Sequence, residues 1–450
     1  MMEHLVIIGN GIAGITAARY VRKNSAMKIT VISGETDYFF SRPALMYIFM
    51  GHMRFDHTKP YEDSFWKQNR IDLIRDRVVK LDAERKVLRL KNGQQVPFTK
   101  LVIATGSKSN KFGWPGQDLP GVQGLYSMQD LELLEENVKN VKHAVIAGGG
   151  LIGIELAEML QSRNIDVTFL IREKHYWNNI LPTEEAILIG RHIEEHGMTL
   201  RRETNLKEIC AGENGRVQRI LTEEGEEIAC QFVGLTPGVH PNIDLLKDSA
   251  VETGRGVLVN EYLETNIPDI YAIGDCVEIK ATAEGERNRF EQLWYTGKMH
   301  GRALARTLTG TRTKYERGIW FNSAKFIDIE YHTYGFVPNA PQPGEQHLYW
   351  EHADHKHAAR IIYDEKTRVV KAFNFLGMRF RHQVCERWLR EERSIEYVLQ
   401  NLGEGNFDPE FYKQLEPEII AFYNLQNPGS NLTLKRKRGL RALFRPGKDA

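Results

Sequence analysis

The chain has 450 residues, 42% of them hydrophobic and 26% charged, with a formal net charge of +1. That length exceeds one ordinary core and predicts roughly two to four domains, while the near-neutral charge argues against wholesale nucleic-acid binding. No apolar run approaches the length of a bilayer-spanning helix and the first strand leaves no room for a signal peptide, so a cytoplasmic location is expected.

The chain opens on Leu5-Val6-Ile7-Ile8-Gly9-Asn10-Gly11-Ile12-Ala13-Gly14. An apolar run, glycines in G-x-G-x-x-G spacing and an apolar stretch over 15–21 predict strand, tight turn and helix. Such a site needs one glycine for the turn, one where backbone approaches a pyrophosphate, and one where helix and strand pack closely. The phosphate then meets unpaired N–H groups at the positive end of the helix. Residues 28–32 read as a second strand, and Glu35 beyond it can accept hydrogen bonds from an adenosine ribose. Tyr38-Phe39-Phe40-Ser41-Arg42-Pro43 follows, a stiffened aromatic loop that suits the rim of a flat cofactor or, equally, a core. Short strands are predicted at 78–81, 86–90 and 101–104, with a turn at Asn92-Gly93. The last ends in Ala104-Thr105-Gly106, small residues against which a ligand can lie. Residues 107–121, rich in Gly, Pro and Lys, read as a crossover between domains.

The opening theme then recurs. An apolar strand over 141–147 runs into Gly148-Gly149-Gly150-Leu151-Ile152-Gly153 and a helix containing Glu155. The next strand, 167–171, ends at Arg172, which can meet a 2′-phosphate and tilts the expectation slightly toward NADPH. Residues 232–238, with Gly234, and 269–275 read as strands ending in small residues. The second closes on Gly274-Asp275, where a carboxylate can reach a polyol chain.

In this order the motifs resemble the FAD-dependent pyridine-nucleotide oxidoreductases of the glutathione-reductase fold. The likeness covers about residues 1–310 and is greatest to the branch of rubredoxin and ferredoxin reductases, the nitrite reductase flavoprotein and NADH oxidases. The resemblance implies an α/β fold with two Rossmann-like dinucleotide-binding domains and a C-terminal α+β domain. The FAD domain would be discontinuous, 1–115 and 243–316, around an NAD(P)-binding domain at 116–242; an interface domain would span 317–402 and an extension 403–450. It implies FAD contacts from Gly9, Gly11, Gly14, Glu35, Arg42, Ala104, Thr105, Gly106, Asp275 and Glu291. NAD(P)H would meet Gly148, Gly150, Ile152, Gly153, Arg172 and Gly234, with Glu155 beside the nicotinamide. Hydride would pass to flavin N5 and electrons onward to a ferredoxin or rubredoxin. A helix from residue 294 to about 308, with Gly297, Gly301 and Ala305 spaced for close packing, would aim its N-terminus at the flavin pyrimidine. Trp294 or Tyr295 would cover the ring, or both would simply be core.

Departures from the family pattern matter as well. Ser41-Arg42-Pro43 stands where one branch carries a cysteine, Tyr47 stands where ferredoxin reductases often have lysine, and no cysteine precedes Cys210. Thiol relay chemistry is therefore not expected. Cys210, Cys230, Cys276 and Cys385 are expected to pack, although Cys276 adjoins the expected cofactor.

Residues 320–335 and 358–375 read as strands and 379–401 as one helix. His347, His352, His355 and His357 are expected in a solvated turn-rich segment, without metal. The tail at 435–450 concentrates Lys and Arg among Leu440, Leu443 and Phe444. It would solubilise, lie on an anionic membrane or dock a small acidic electron carrier. The alternatives are thus a peripheral membrane quinone reductase and a non-enzymatic flavin redox sensor, with a homodimer compatible with each reading.

Overall fold

The computed structural model describes residues 3–283 and 285–435, so that the basic tail beyond Lys435 lies outside the described residues. The chain divides into two compact units. One comprises the described residues up to Arg172 together with Gly197–Arg317; the other comprises Glu173–His196 and the described residues from Gly318 onward.

The first unit contains two parallel sheets. In the first, the strands run in the order Ile270–Ala272, Lys100–Ile103, His4–Ile8, Lys28–Ser33, Ile71–Arg75, all parallel. The central strand His4–Ile8 is apolar in succession, Leu5 to Ile8, because both faces of a parallel sheet are covered. The second sheet repeats the plan with Thr199–Arg201, Asp166–Leu170, His143–Ala147, Phe232–Leu235 and Val122–Gln123. The crossover region forms a two-stranded ribbon in which Ser107–Ser109 pairs antiparallel with Val239–Pro241. Since Ile270–Ala272 completes the first sheet after the second has been built, the first fold is discontinuous in sequence.

The second unit is built on a five-stranded antiparallel sheet ordered Phe321–Phe326, Ile329–Tyr334, Val370–Leu376, Ala358–Asp364, Glu345–Glu351. Six of the seven residues of Ala358–Asp364 are buried, which requires cover on both faces. On one face Ile361 joins a core with Trp388, Ile395, Leu399 and Ile419 from the C-terminal helices. On the other, Arg360 donates from Nε and Nη2 to the Glu185 carboxylate at 2.6 and 2.7 Å. Glu185 sits on the helix Thr183–Glu195, expected within 116–242 but packed with this sheet.

Two local expectations change. Residues 379–401 form two helices, His382–Arg390 and Ile395–Gln400. The break occurs because the Arg393 carbonyl accepts from Val370 N–H and Ser394 restarts the chain as a side-chain N-cap, accepting from Tyr397 N–H. His347 lies in the strand Glu345–Glu351 rather than a turn, whereas His352 and His357 flank Asp354 in the following hairpin. Among the described residues no helix is long and apolar enough to cross a membrane.

Glu185 is fully buried and Arg360 is 3% exposed. Arg360→Met strands a buried carboxylate and is expected to lower unfolding free energy by about 3–5 kcal/mol in urea titration.

Candidate functional site

The two glycine turns of the first unit share one geometry. Gly9 has φ +112° and donates its N–H to the Ile32 carbonyl at 2.8 Å; Gly148 has φ +125° and donates to Leu170 at 3.0 Å. A Cβ on Gly9 would stand 2.1 Å from the Ala104 oxygen, and one on Gly148 would stand 2.5 Å from the Thr236 oxygen. Gly14 and Gly153 each lean on the preceding turn, where a Cβ would stand 2.2 and 2.7 Å from the Gly9 and Gly148 oxygens. These positions are glycine because the fold leaves no room for a side chain.

Gly11 is different, since nothing lies within 4 Å of where its Cβ would project. It precedes the helix Ile12–Asn24, which has no side-chain cap and no acid in its first turn. Unpaired N–H groups and a partial positive charge therefore border open space. Gly150 precedes the helix Leu151–Gln161, which likewise has no side-chain cap and no acid in its first turn, and Ile152 and Glu155 lie partly buried on that helix. Gly234 also has a packing task. Leu156 Cδ2 would be 2.5 Å from its Cβ, so this glycine admits a helix side chain, and Thr236 is the residue beside the turn. Arg172 is exposed beyond the strand Asp166–Leu170, and Ile171 N–H bonds the carbonyl of Arg201, which brings Arg201 and Arg202 to the same sheet end.

The helix Trp294–Leu308 also starts without a side-chain cap or first-turn acid. A Cβ on Gly297 would be 3.3 Å from Ile12 Cγ2, and one on Gly301 would be 2.6 Å from the Ala13 oxygen and 2.8 Å from Thr16 Cβ. The two helices therefore run side by side in the same sense, with their N-termini at one end. Gly274, at φ +79°, completes the junction: its Cβ would fall 2.9 Å from that of Ala13.

Asp275 follows, within a short turn at Gly274–Cys276. Its carboxylate is 3.4 Å from both Ser107 Oγ and Tyr126 Oη. Burial pushes its pKa up, against the pull of the Arg42 guanidinium and these hydroxyls. Gln292 donates to Ser107 Oγ at 2.9 Å, and Tyr126 Oη accepts the Ser107 N–H at 2.9 Å. Thr105 and Gly106 are held by Asn242, whose carbonyl accepts from Thr105 Oγ1 at 2.6 Å and whose N–H donates to Gly106 at 2.9 Å. Tyr126, Ser107, Gln292 and Asn242 carry no sequence signal, being ordinary polar residues gathered from separate loops.

Two expected ligand contacts are engaged with protein. Glu35 receives Arg42 Nη1 and Nη2 at 2.7 and 2.6 Å, and its Oε1 also accepts the Met128 N–H at 3.0 Å. It thus caps the helix Met128–Asn137 and fixes Arg42, which keeps one Oε2 lone pair for a further donor. Glu291 is 2% exposed and accepts from Tyr315 Oη at 2.5 Å. His300 Nε2 stands 3.6 Å from the same carboxylate oxygen, while its Nδ1 accepts the Gly274 N–H at 3.1 Å. Burial works to raise the Glu291 pKa, but His300 and Tyr315 outweigh it and hold the carboxyl low. Glu291 thus lies buried beside the imidazole that holds Gly274.

Trp294 opens its helix partly exposed, with Lys298 Nζ 5.1 Å from its ring centroid and Tyr295 edge-on at 5.5 Å. Cys276 is fully buried, and burial raises its thiol pKa.

This donor set fits a dinucleotide at each glycine turn. At the first, open space at Gly11, two bare helix N-termini and the polar group around Asp275 match a pyrophosphate, an electron-rich ring and a polyol.

Gly11→Ala is expected to change apoprotein stability by no more than about 1 kcal/mol while abolishing stoichiometric flavin retention. Gly9→Ala should lose both, as read by urea unfolding and the flavin to protein absorbance ratio. The Asp275 carboxyl titrates above its unfolded-state range, so its ionisation penalises the folded apoprotein. Stability from this group is present below the ordinary carboxylate pKa and is lost as pH rises through the elevated one. Apoprotein stability of wild type relative to Asp275→Asn is expected to fall over that interval in denaturant titrations.

Known proteins resemble this chain over much of its length. A rubredoxin-NAD(+) reductase of Acinetobacter baylyi is 32% identical over 321 residues, 69% of this chain and 80% of that protein. The nitrite reductase [NAD(P)H] of Bacillus subtilis is 28% identical over 333 residues, 73% of this chain and only 40% of that protein. The crystal structure of a ferredoxin reductase from Rhodopseudomonas palustris superposes with a TM-score of 0.76 at 23% identity, covering 83% of this chain and 91% of that one. The profile of the pyridine nucleotide-disulphide oxidoreductases, whose members use FAD and NAD(P)H, matches residues 3–301, and the chain belongs to that family.

Proposed function

We propose that this oxidoreductase takes reducing equivalents from NAD(P)H and passes them through FAD to a small ferredoxin- or rubredoxin-type carrier. The observation that carries the reading is the pair of bare helix N-termini at Asp275 with no reactive thiol beside them. Cys276 is the cysteine next to Asp275 in sequence, and it is buried with its Sγ 3.3 Å from the Ile273 carbonyl. A disulfide relay needs an accessible thiolate pair, and among the described residues all four cysteines are free. Electrons then have to leave by the cofactor itself.

Bound FAD accepts a hydride and can release electrons singly, which is what a one-electron carrier requires. This chain's residues would supply position and charge. The N-termini of Ile12–Asn24 and Trp294–Leu308 offer partial positive charge where an anionic pyrophosphate and a reduced ring would lie. Asp275 would hold the polyol, and Arg42, kept in place by Glu35, would add a fixed cation nearby. Glu155 would orient the nicotinamide and Trp294 would cover a ring face. Arg172, with Arg201 and Arg202 at the same sheet end, favours a 2′-phosphate and so NADPH. The printed name of the Acinetobacter relative supports the carrier class. The shorter overlap with nitrite reductase leaves that protein's remaining activity outside this reading.

Anaerobic mixing of the FAD-loaded protein with NADPH should bleach the flavin absorbance faster than NADH does, and added oxidised ferredoxin or rubredoxin should restore it while becoming reduced. Bleaching by neither nucleotide defeats the enzymatic reading, and bleaching without carrier reduction defeats the acceptor. Glu155→Ala should slow flavin reduction by about 10–100-fold with FAD content unchanged, as expected for lost positioning.

A further inference from the structure

The second unit carries ligand chemistry that the nucleotide cradles do not use. The helix Thr183–Glu195 leads through His192 to His196 at its C-cap, four residues apart and therefore on one face. Their ring centroids are 4.4 Å apart. Across from them, Asp328 in the turn between Phe321–Phe326 and Ile329–Tyr334 contacts His192 Nε2 through Oδ1. One ligating atom from each of the three residues lies within 4.8 Å of the other two.

Each side chain is already oriented. His192 is 1% exposed, and its Nδ1 is buried without a hydrogen-bond partner, 3.9 Å from Glu195 Oε2. With Nε2 given to an ion, Nδ1 carries the hydrogen and Glu195 becomes the carboxylate that receives it, the usual outer support of a metal-bound histidine. His196 Nδ1 donates to the His192 carbonyl at 2.8 Å, which makes Nε2 the ring's lone-pair atom. The Asp328 side chain is 58% exposed, so a remaining coordination position faces water.

We propose that His192, His196 and Asp328 form a divalent transition-metal site, with Zn²⁺ as its ion. Two imidazoles and a carboxylate suit zinc, whereas Ca²⁺ and Mg²⁺ favour all-oxygen shells. Bonds of about 2.0–2.1 Å require the direct contact between His192 and Asp328 to open and the three ligand atoms to close on one ion. The ion would tie the end of Thr183–Glu195 to the first hairpin of the sheet, within a single unit. Lys356 Nζ, 3.8 Å from Asp328 Oδ2, competes for the carboxylate and limits affinity. The group His352, Asp354 and His357 also converges, but His352 Nδ1, the ring atom that faces Asp354, already accepts the Asp354 N–H at 3.1 Å. This site is independent of the proposed electron path.

The test uses the full-length flavin-loaded protein, cleared of metal with a chelator and carrying His357→Gln to silence the second group. Co²⁺ titration should give one equivalent with the intense visible absorption of tetrahedral nitrogen and oxygen coordination, displaced by Zn²⁺. His196→Gln and, separately, the exposed Asp328→Asn should each weaken binding at least about tenfold and remove any Zn²⁺-dependent rise in melting temperature. The proposal is overturned if the parent binds no Co²⁺, if both variants bind as the parent does, or if Zn²⁺ stabilises all three proteins equally.

Discussion

The close parallel approach of Ile12–Asn24 and Trp294–Leu308 is the constraint on which the first unit depends. Glycine at 301 lets one helix rest on the Ala13 carbonyl of the other, a spacing that a methyl group would forbid. Parallel neighbours place like ends of two helix dipoles together, an unfavourable arrangement in isolation. Neither end has a side-chain cap or an acid in its first turn. The cost is offset when negative charge occupies the space in front, and the fold is thereby prepared for an anionic ligand before one arrives.

Around that junction the buried charges are arranged in layers. Asp275 faces hydroxyls from Ser107 and Tyr126, and Arg42 lies close enough to pull on it. Behind it, Gly274 is held by His300, which in turn stands beside Glu291 and Tyr315. A turn with φ +79° is thus fixed from both sides, and the carboxylate that follows has little freedom to wander. Low local dielectric makes such a network stiff when satisfied and costly when broken.

The second unit solves a different problem. An interior antiparallel strand, Ala358–Asp364, buried on both faces needs two covers, and the chain recruits one of them from its middle, the helix Thr183–Glu195. Glu185 and Arg360 specify that docking through a two-pronged contact that an apolar pair would not orient.

Spacing alone determined the two strand, glycine turn and helix units, the glycine-spaced helix after Trp294 and the absence of a cysteine pair, because each depends on neighbours within a few residues. The same local reading ran 379–401 together as one helix, since the break is made by Val370, far off in the chain. The protein partners of Glu35 and Glu291, which are Met128, His300 and Tyr315, escape a local reading because they are not sequence neighbours. The close approach of Leu156 to the space beside Gly234 is likewise invisible in the local sequence. Tertiary structure alone decided which carboxylates already hold protein partners and which glycine borders open space, because hydrogen bonding and excluded volume are properties of atoms brought together from distant parts of the chain.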